Sequence, residues 1–465
     1  MKTFKNIGKI ALLSLALCGG TTSCNYLDVV PPEQASLPDA TKDPEATLGF
    51  LFSCYGGVRS PFDYQTVEAG ADEYVLPPLW NTGSQKITWD LNLPTNIADG
   101  WSWGSNYRFI GQCLLFLQEL PNARGVTDEQ KRAWAAEANF LLAYYHMATL
   151  IAYGPCPITD TYIDQATPES EYRGRMHFDY VKDWICQKFD EVCQDGQLPA
   201  TRSGDEWGRA TSVMAKALKA RLLVYAASPL YNGSFPYKDW ENANFETPGY
   251  GKELISKQYD PKKWEAAKTA CLEAIAAAEA AGHKLFSLDD ARILYKQANL
   301  PLPFVPFKSE SGGTADKDKE FMERVQLMRY VVTTRYKEGN RETIWGHANQ
   351  GTMIIGSLPH RVIKNNQGTW KAGYSGVSPT LNTVEQFYTE NGVPIEKDEK
   401  FYRENEWFQS AGVNNRSDII KLNARREPRF YAWIAFDGGD MGSRVYGGQP
   451  LKLEMRKSEL HGYNP

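Results

Sequence analysis

Apolar residues recur at helical spacing from Asp128 to Pro157. Small alanines alternate there with aromatic side chains at three- and four-residue steps, which is the period of one face of an α-helix. The positions on this face are Ala133, Ala136, Phe140, Ala143, Tyr144, Met147 and Ile151. Thr127 or Asp128 can cap the start, and Gly154 with the prolines after it is expected to end the helix. Because the face carries small residues, a second helix can approach it closely.

A second alanine-rich helix is predicted from Gly208 to Pro229, where the proline stops it. Its small-residue face carries Ala210, Val213, Ala217, Ala220, Leu222, Val224 and Ala227. We expect the two alanine-rich helices to pack directly against each other. The same period predicts further helices at Pro44–Val58, Ala98–Leu120, Phe178–Gln194 and Pro261–Ala281.

The segments AEANFLLAYYHMATLIAYGPCPI and GRATSVMAKALKARLLVYAASPLYN, which contain these two helices, resemble the most recognisable helices of the SusD/RagB family. The resemblance implies a mostly α fold, in which tetratricopeptide-like helix pairs support a loop-rich second half with short strands. It also implies an outer-membrane lipoprotein that captures glycans or other nutrients beside a SusC-like TonB-dependent transporter. EPRFYAWIAF, residues 427–436, extends the resemblance almost to the end of the chain.

Residues 1–23 are typical of a secretion signal, because Lys2, Lys5 and Lys9 precede an apolar run too short to span a bilayer stably. We expect cleavage before Cys24, which would then carry lipid such as palmitate and anchor the protein to the outer membrane; simple secretion is the alternative. Residues 24–43 are interpreted as the lipidated tether, since Tyr26-Leu27-Asp28 and the two prolines after it resemble the family's segment behind the lipidated cysteine.

The rest of the chain is expected to form a helical N-terminal part, residues 44–235, packed as one globule with a loop-rich C-terminal part, residues 236–465. A strand is predicted at Thr343–His347 and a helix at Leu381–Glu390. Family members normally end with a further helix and a closing arginine-rich segment, and neither precedes the final HGYNP. We therefore expect a truncated C-terminal part that leaves apolar surface exposed on its neighbours.

The net charge of the chain excludes one class of partner. The sequence has 51 basic and 56 acidic residues, and removing residues 1–23 changes the net charge from −5 to −8, with 48 basic residues left. Nucleic acid is therefore not an expected partner.

Six later cysteines lie mainly on apolar helix faces, which favours buried thiols over a disulfide framework. They are Cys54, Cys113, Cys156, Cys186, Cys193 and Cys271.

Catalysis finds little support in the sequence. It has no phosphate-binding loop, no His-Glu-x-x-His and no Gly-x-Ser-x-Gly, and its histidines are scattered, so His146 is expected to be structural. Carboxylate pairs such as Asp72 with Glu73 arise by chance in so acidic a chain. No cofactor is expected; in FDGGDMG, calcium held by Asp437 and Asp440 is the alternative to a plain turn.

The stronger signal is aromatic side chains in polar loops. The C–H faces of sugars lie on flat rings, while their hydroxyls need planar polar partners. The predicted ligand-binding residues are Trp80, Asn81 and Trp89 in LWNTGSQKITW, and Trp370 and Tyr374 in NNQGTWKAGY. The resemblance implies that a tryptophan and an asparagine from the first loop contact glycan. Trp345, by contrast, is expected to belong to the core.

The predicted function is non-catalytic capture of an oligosaccharide or polysaccharide at the cell surface, followed by delivery to a SusC-like TonB-dependent transporter. Two alternatives stay open, namely a peptide or glycoprotein binder of the RagB type and a secreted glycoside hydrolase. Retention on glycan or peptide gels separates the two kinds of binder, and release of reducing ends tests for a hydrolase.

Overall fold

The computed structural model of the protein describes residues 37–58, 67–80, 83–93, 95–96, 103–164, 166–298, 301–305, 316–333, 340–346, 357–364, 370–371, 373–413, 416–441, 451–456 and 461–462. The predicted signal peptide, Cys24 and Asn81 lie outside these residues. Within them the fold is mostly helical, with a few two-residue strands, as the sequence predicted.

Six α-helices lie among the described residues of the first part, and a seventh follows at the start of the second part. They are α1 (Pro44–Cys54), α2 (Gly83–Thr88), α3 (Trp103–Glu119), α4 (Asp128–Tyr153), α5 (Phe178–Glu191), α6 (Ser212–Ala227) and α7 (Lys262–Ala280). Apart from the short α2, each helix packs against the next one in the sequence, and one apolar core extends from α1 to α6. This succession of packed helices is the tetratricopeptide-like scaffold expected from the sequence.

Local signals fix both ends of α4. The Gln130 amide donates to Thr127 Oγ1 at 3.2 Å and the Thr127 amide donates to Gln130 Oε1 at 3.0 Å, which forms a capping box. The helix stops at Gly154, whose φ of +67° is a left-handed conformation that favours glycine. The predicted bounds of this helix are confirmed.

The predicted direct pairing of the two alanine-rich helices is wrong. Helix α4 has α3 and α5 as its main neighbours and touches α6 at only a few positions, although α4 and α6 share one core. The alanine face of α6 lies against α7, where Ala220 packs with Ala270 and Ala274. A small-residue face accepts any helix that comes close, so periodicity does not identify which helices pair.

The second part contains α8 (Leu288–Ala298), α9 (Asp316–Thr333), α10 (Leu381–Gln386) and α11 (Pro428–Trp433). Two small antiparallel sheets pair β1 (Tyr74–Val75) with β4 (Ser378–Pro379), and β2 (Ile363–Lys364) with β3 (Trp370–Lys371). A second apolar core lies where α9 packs on α11 and includes Val325, Phe430 and Tyr431. The helix predicted at Leu381–Glu390 is present as the shorter α10.

The strand predicted at Thr343–His347 is wrong over its described residues, 343–346, which form no strand. The Trp345 ring packs edge-on against Phe140 and Tyr144 of α4, with centroid distances of 5.4 and 5.2 Å. Its Nε1 donates to the Gly208 carbonyl at 3.0 Å. Contacts with the helical scaffold therefore hold this segment in place of strand pairing, and the expectation that Trp345 packs on the core is confirmed.

The six cysteines from Cys54 to Cys271 are free, as predicted. Four of them are buried, and burial raises the pKa of Cys156 and Cys186 to about 12. A thiol with so high a pKa stays protonated and unreactive at neutral pH. These cysteines therefore act as small apolar residues of the core.

Candidate functional site

Two loops that are far apart in the sequence meet at the β1–β4 sheet. The register places Tyr74 opposite Pro379 and Val75 opposite Ser378. Directly after this pairing, the Thr380 amide donates to the Glu73 carbonyl at 3.2 Å. The Thr380 hydroxyl donates to the carbonyl of Asp72, which is 308 positions away in the sequence. The sheet thus joins a loop of the first part to a loop of the second part.

Asp72 strengthens this junction from the β1 side. The side-chain amide of Asn382 in α10 donates to the Asp72 carboxylate. The Thr383 hydroxyl donates to the Asp72 carbonyl at 2.9 Å. The carboxylate that the sequence offered as half of an acid pair is therefore an acceptor that ties the two loops together.

Trp80 lies on the junction. Its ring is so close to Gly376 that a Cβ added at position 376 would be 2.3 Å from ring atoms, so only glycine fits under the ring. The buried Gln85 side chain supports the loop by donating to the carbonyls of Leu76 at 3.2 Å and Pro77 at 2.7 Å. The Trp80 side chain is half-buried and keeps part of its surface in solvent.

Tyr374 stands two residues before Gly376, and 59% of its surface is exposed. A tight turn presents it, with φ of +91° at Gly373 and +47° at Ser375. The Ser375 amide donates to the Leu358 carbonyl at 2.9 Å, which fixes the turn. Two residues span at most about 7 Å, so the backbone of Tyr374 lies near Gly376 and the Trp80 ring that packs on it. We name this region the Trp80–Tyr374 surface; it consists of Asp72, Trp80, Tyr374, Gly376 and Asn382.

The remaining predicted ligand residues lie elsewhere or outside the described residues. Trp89 follows α2 and is exposed, with its amide donating to the Gln85 carbonyl at 3.0 Å. Trp370 begins β3 and pairs with Lys364 of β2, and Asn81 is not among the described residues. The structure brings the loops of Trp80 and Tyr374 together, and a ligand-binding role for all five residues stays a prediction.

Comparison with known proteins agrees with this architecture. The sequence model of the SusD family matches residues 328–464. The solved structure of BT4246 is 53% identical with a TM-score of 0.83, and the alignment covers 91% of this chain and 70% of that one. The chain belongs to the SusD family.

More distant SusD-like structures share the fold. The SusD-like protein BF3747 from Bacteroides fragilis NCTC 9343 is 17% identical with a TM-score of 0.62, over 90% of this chain and 67% of that one. The SusD-like carbohydrate-binding protein BF0978 from the same organism is 15% identical with a TM-score of 0.54, over 90% of this chain and 63% of that one. None of the curated proteins compared with the chain matches it. No helix among the residues described above combines the length and apolar character that crossing a membrane requires.

The candidate calcium ligands of this SusD-family chain have protein partners. Asp440 Oδ2 accepts from the Phe304 amide at 2.7 Å. The Asp437 carboxylate accepts from the Met455 amide and from Arg456 Nε, both at 2.9 Å. In the described part of the chain, no three His, Cys, Asp or Glu side chains gather as a metal site. Calcium at these two aspartates stays a prediction.

His146 is structural, as predicted. It is buried in α4, where Nε2 accepts from the Thr159 amide at 3.1 Å and Nδ1 lies 2.8 Å from the Leu142 carbonyl. Because Nε2 accepts, Nδ1 must carry the proton and donate. Burial lowers the pKa of His146 to about 4, so the ring is neutral at physiological pH.

Two residues of this candidate site, Gly376 and Asn382, were not predicted from the sequence. Neither belongs to the aromatic pattern that marked the loops, because one is needed for its lack of a side chain and the other for its bond to Asp72. Both roles follow from the pairing of β1 with β4. A glycine two residues after a loop tyrosine was the local signal available for Gly376.

Proposed function

We propose that this protein is a lipid-anchored, cell-surface glycan-binding protein that captures an oligosaccharide or polysaccharide and delivers it to a SusC-like TonB-dependent outer-membrane transporter, without catalysing a reaction. The observation that supports the proposal is the Trp80–Tyr374 surface, where aromatic residues from two loops far apart in the sequence lie near one another at the β1–β4 junction. BF0978, which has this fold, is a carbohydrate-binding protein.

The chemistry of this surface suits a sugar. Aromatic rings receive the C–H faces of a pyranose, and amide, carboxylate and hydroxyl groups beside them exchange hydrogen bonds with its hydroxyls. Asp72, Asn382 and Thr380 supply such groups at the edge of the sheet. The Trp80 ring packs against Gly376, and a tight turn holds the backbone at Tyr374, which reduces the conformational freedom that is lost when a ligand binds.

Native affinity electrophoresis tests the proposal. The panel contains starch, β-1,3-glucan, mannan, xylan, arabinogalactan and desialylated mucin. We expect one glycan to retard the wild type and the Trp80→Ala and Tyr374→Ala variants to bind it about tenfold more weakly, equal to about 1.4 kcal/mol. Tyr237→Ala removes an exposed tyrosine elsewhere and serves as the control. Wild-type affinity in both site variants would remove the Trp80–Tyr374 surface from the proposal.

The same gels separate the alternatives. Retention by a peptide or deglycosylated protein, with no retention by any glycan, would replace the proposal with a peptide binder. Release of reducing ends from a retained polysaccharide would replace it with a hydrolase.

The surface location rests on lipid at Cys24. Each acyl methylene that enters the bilayer contributes about 0.8 kcal/mol, so several chains on one cysteine anchor a protein durably. In cells fed a palmitate analogue, we expect Cys24→Ser to abolish labelling and release the protein, while Cys18→Ser, the matched control, keeps both label and anchor. A mature wild-type chain with a free Cys24 thiol would refute the lipid anchor.

Co-purification of a TonB-dependent receptor with the extracted lipoprotein tests the delivery step.

A further inference from the structure

A groove of about 610 Å³ lies between α3 and the segment after α4. We call it the α3 groove; its principal side chains are Trp103, Tyr107, Asp160, Tyr162, Tyr172 and Arg173. Pockets that hold small molecules commonly enclose about 300–1,000 Å³, so the groove has the size of a ligand site. It shares no lining residue with the Trp80–Tyr374 surface.

One wall of the groove is a rigid set of rings on α3. The rings of Trp103 and Tyr107 are 5.1 Å apart, and Trp103 packs edge-on against Tyr153 at 5.2 Å. The Tyr107 hydroxyl donates to the Pro157 carbonyl at 2.7 Å. The Arg175 guanidinium lies 4.8 Å from the Trp103 ring centroid. These contacts fix the ring positions before any ligand arrives.

The opposite wall, formed by described residues 157–163 and 167–173, is held at both ends. The Thr159 amide donates to the buried His146 ring at 3.1 Å. Arg173 donates to the Ile158 carbonyl at 3.3 Å and forms an ion pair with Asp160 at 3.2 Å. Arg173 therefore ties the two ends of this segment to each other.

Tyr162 and Tyr172 on this wall remain 38% and 50% exposed. Beside them, the half-exposed Asp160–Arg173 pair offers planar donor and acceptor groups, and Thr159, Thr161 and Thr167 contribute to the lining. Rings next to planar polar groups suit a sugar rather than a purely apolar ligand. Asp160 neutralises Arg173, and Glu171 opposes the charge of the neighbouring Arg175, so the groove has no net positive charge that would favour an anionic ligand.

We propose that the α3 groove is a second carbohydrate-binding site, which holds another segment of a neutral glycan. The inference rests on the proposed glycan-binding function and adds a site to it. A polysaccharide that reaches both sites binds more tightly than a short oligosaccharide that fills one, because the second contact forms at high effective concentration.

The test uses a double variant, Tyr162→Ala with Tyr172→Ala, in the full mature protein. Isothermal titration is performed with the panel polysaccharide that retards the wild type. We expect the double variant to bind it at least fivefold more weakly. The matched control, Tyr237→Ala with Tyr259→Ala, removes two more exposed tyrosines and is expected to bind as the wild type does. Thermal melting of both double variants verifies that each is folded.

Each outcome bears on one of the two proposals. If the groove variant binds like its control while Trp80→Ala still weakens binding, the second site is wrong and the proposed function stands. Equal losses in the groove and control variants would also overturn the second site, since the loss would not belong to the groove. If no glycan retards the wild type, both proposals fall.

Discussion

Glu137 is fully buried in α4 and joins three parts of the scaffold. Its carboxylate accepts from Arg202 Nη2 at 2.9 Å, from Arg209 Nη2 at 2.5 Å and from the Tyr55 hydroxyl at 2.6 Å. The Tyr55 oxygen in turn accepts from the Ala210 amide at 2.9 Å. Burial, assisted by the neighbouring carboxylate, raises the pKa of Tyr55 well above its ordinary value, so it remains a donor.

Glu137→Ala is expected to destabilise the fold by about 3 kcal/mol. Removing one partner of a buried ion pair costs about 3–5 kcal/mol, because the other charge stays buried without it. The lower end applies, since Glu206 still accepts from Arg209 at 2.7 Å and pairs with Arg202 at 3.2 Å. A loss of this size is a large part of the roughly 5–15 kcal/mol by which domains are stable.

Urea unfolding followed by far-UV circular dichroism measures this loss as a lower midpoint at unchanged slope. Glu206→Ala is the matched control, since it removes a carboxylate that pairs with the same two arginines but is 55% exposed. Exposed pairs contribute about 0–1 kcal/mol, so the control should lose no more than that. Equal losses in the two variants, or a loss below about 1 kcal/mol for Glu137→Ala, would refute the assignment of the stability to burial.

Two further predictions follow from single side chains. Burial gives His146 a pKa of about 4 in the folded protein, against about 6.5 in the unfolded chain, so its contribution to folding stability is complete above pH 6.5 and falls by about 3 kcal/mol as the pH drops to 4. His146→Gln, which keeps a donor and an acceptor, should flatten that part of the curve of unfolding free energy against pH. An unchanged slope would contradict the assignment. Gly376→Ala should displace the Trp80 ring and weaken glycan binding about tenfold, or about 1.4 kcal/mol. Gly49→Ala is the control, because a Cβ at that position meets no other atom. Undiminished binding by Gly376→Ala would show that the position of the Trp80 ring does not matter for binding.

The helices were predictable because their signals are local. The capping box at Thr127 and the stop at Gly154 lie within a few residues of the apolar period that defines α4. The partners of that helix were not predictable in the same way. Ala220 packs with Ala270 rather than with the alanines of α4, and nothing in a small-residue face encodes that choice.

Trp345 illustrates the same limit for strands. A short run of β-prone residues predicts a strand only if an edge is available to pair with. The Trp345 ring instead packs against Phe140 and Tyr144, and its Nε1 donates to the Gly208 carbonyl. The partly buried Trp345 side chain therefore contacts the helical scaffold in a segment whose described residues pair with no strand.

The sequence identified the aromatic residues of the candidate site, but it did not show how their loops come together. Trp80 and Tyr374 stood out because no packing period requires them in their polar loops. The tyrosines of the α3 groove carried the same signal, since Tyr162 and Tyr172 lie in TDTYIDQATPESEYRG, a segment rich in threonine and acidic residues. Their significance appears only when α3 supplies the facing wall.

The two-sided construction of the Trp80–Tyr374 surface links ligand binding to the fold. Gln85 holds the Trp80 loop within the first part, Leu358 holds the Tyr374 turn within the second part, and the β1–β4 pairing joins them. A ligand that contacts both rings binds only while this junction is formed, so its binding free energy adds to the stability of the junction. Loosening the bonds at Asp72 would then weaken binding without altering either ring. The affinity of the proposed site would then depend on how the two loops pair, and the bonds at Asp72 contribute to that pairing together with the β1–β4 ladder.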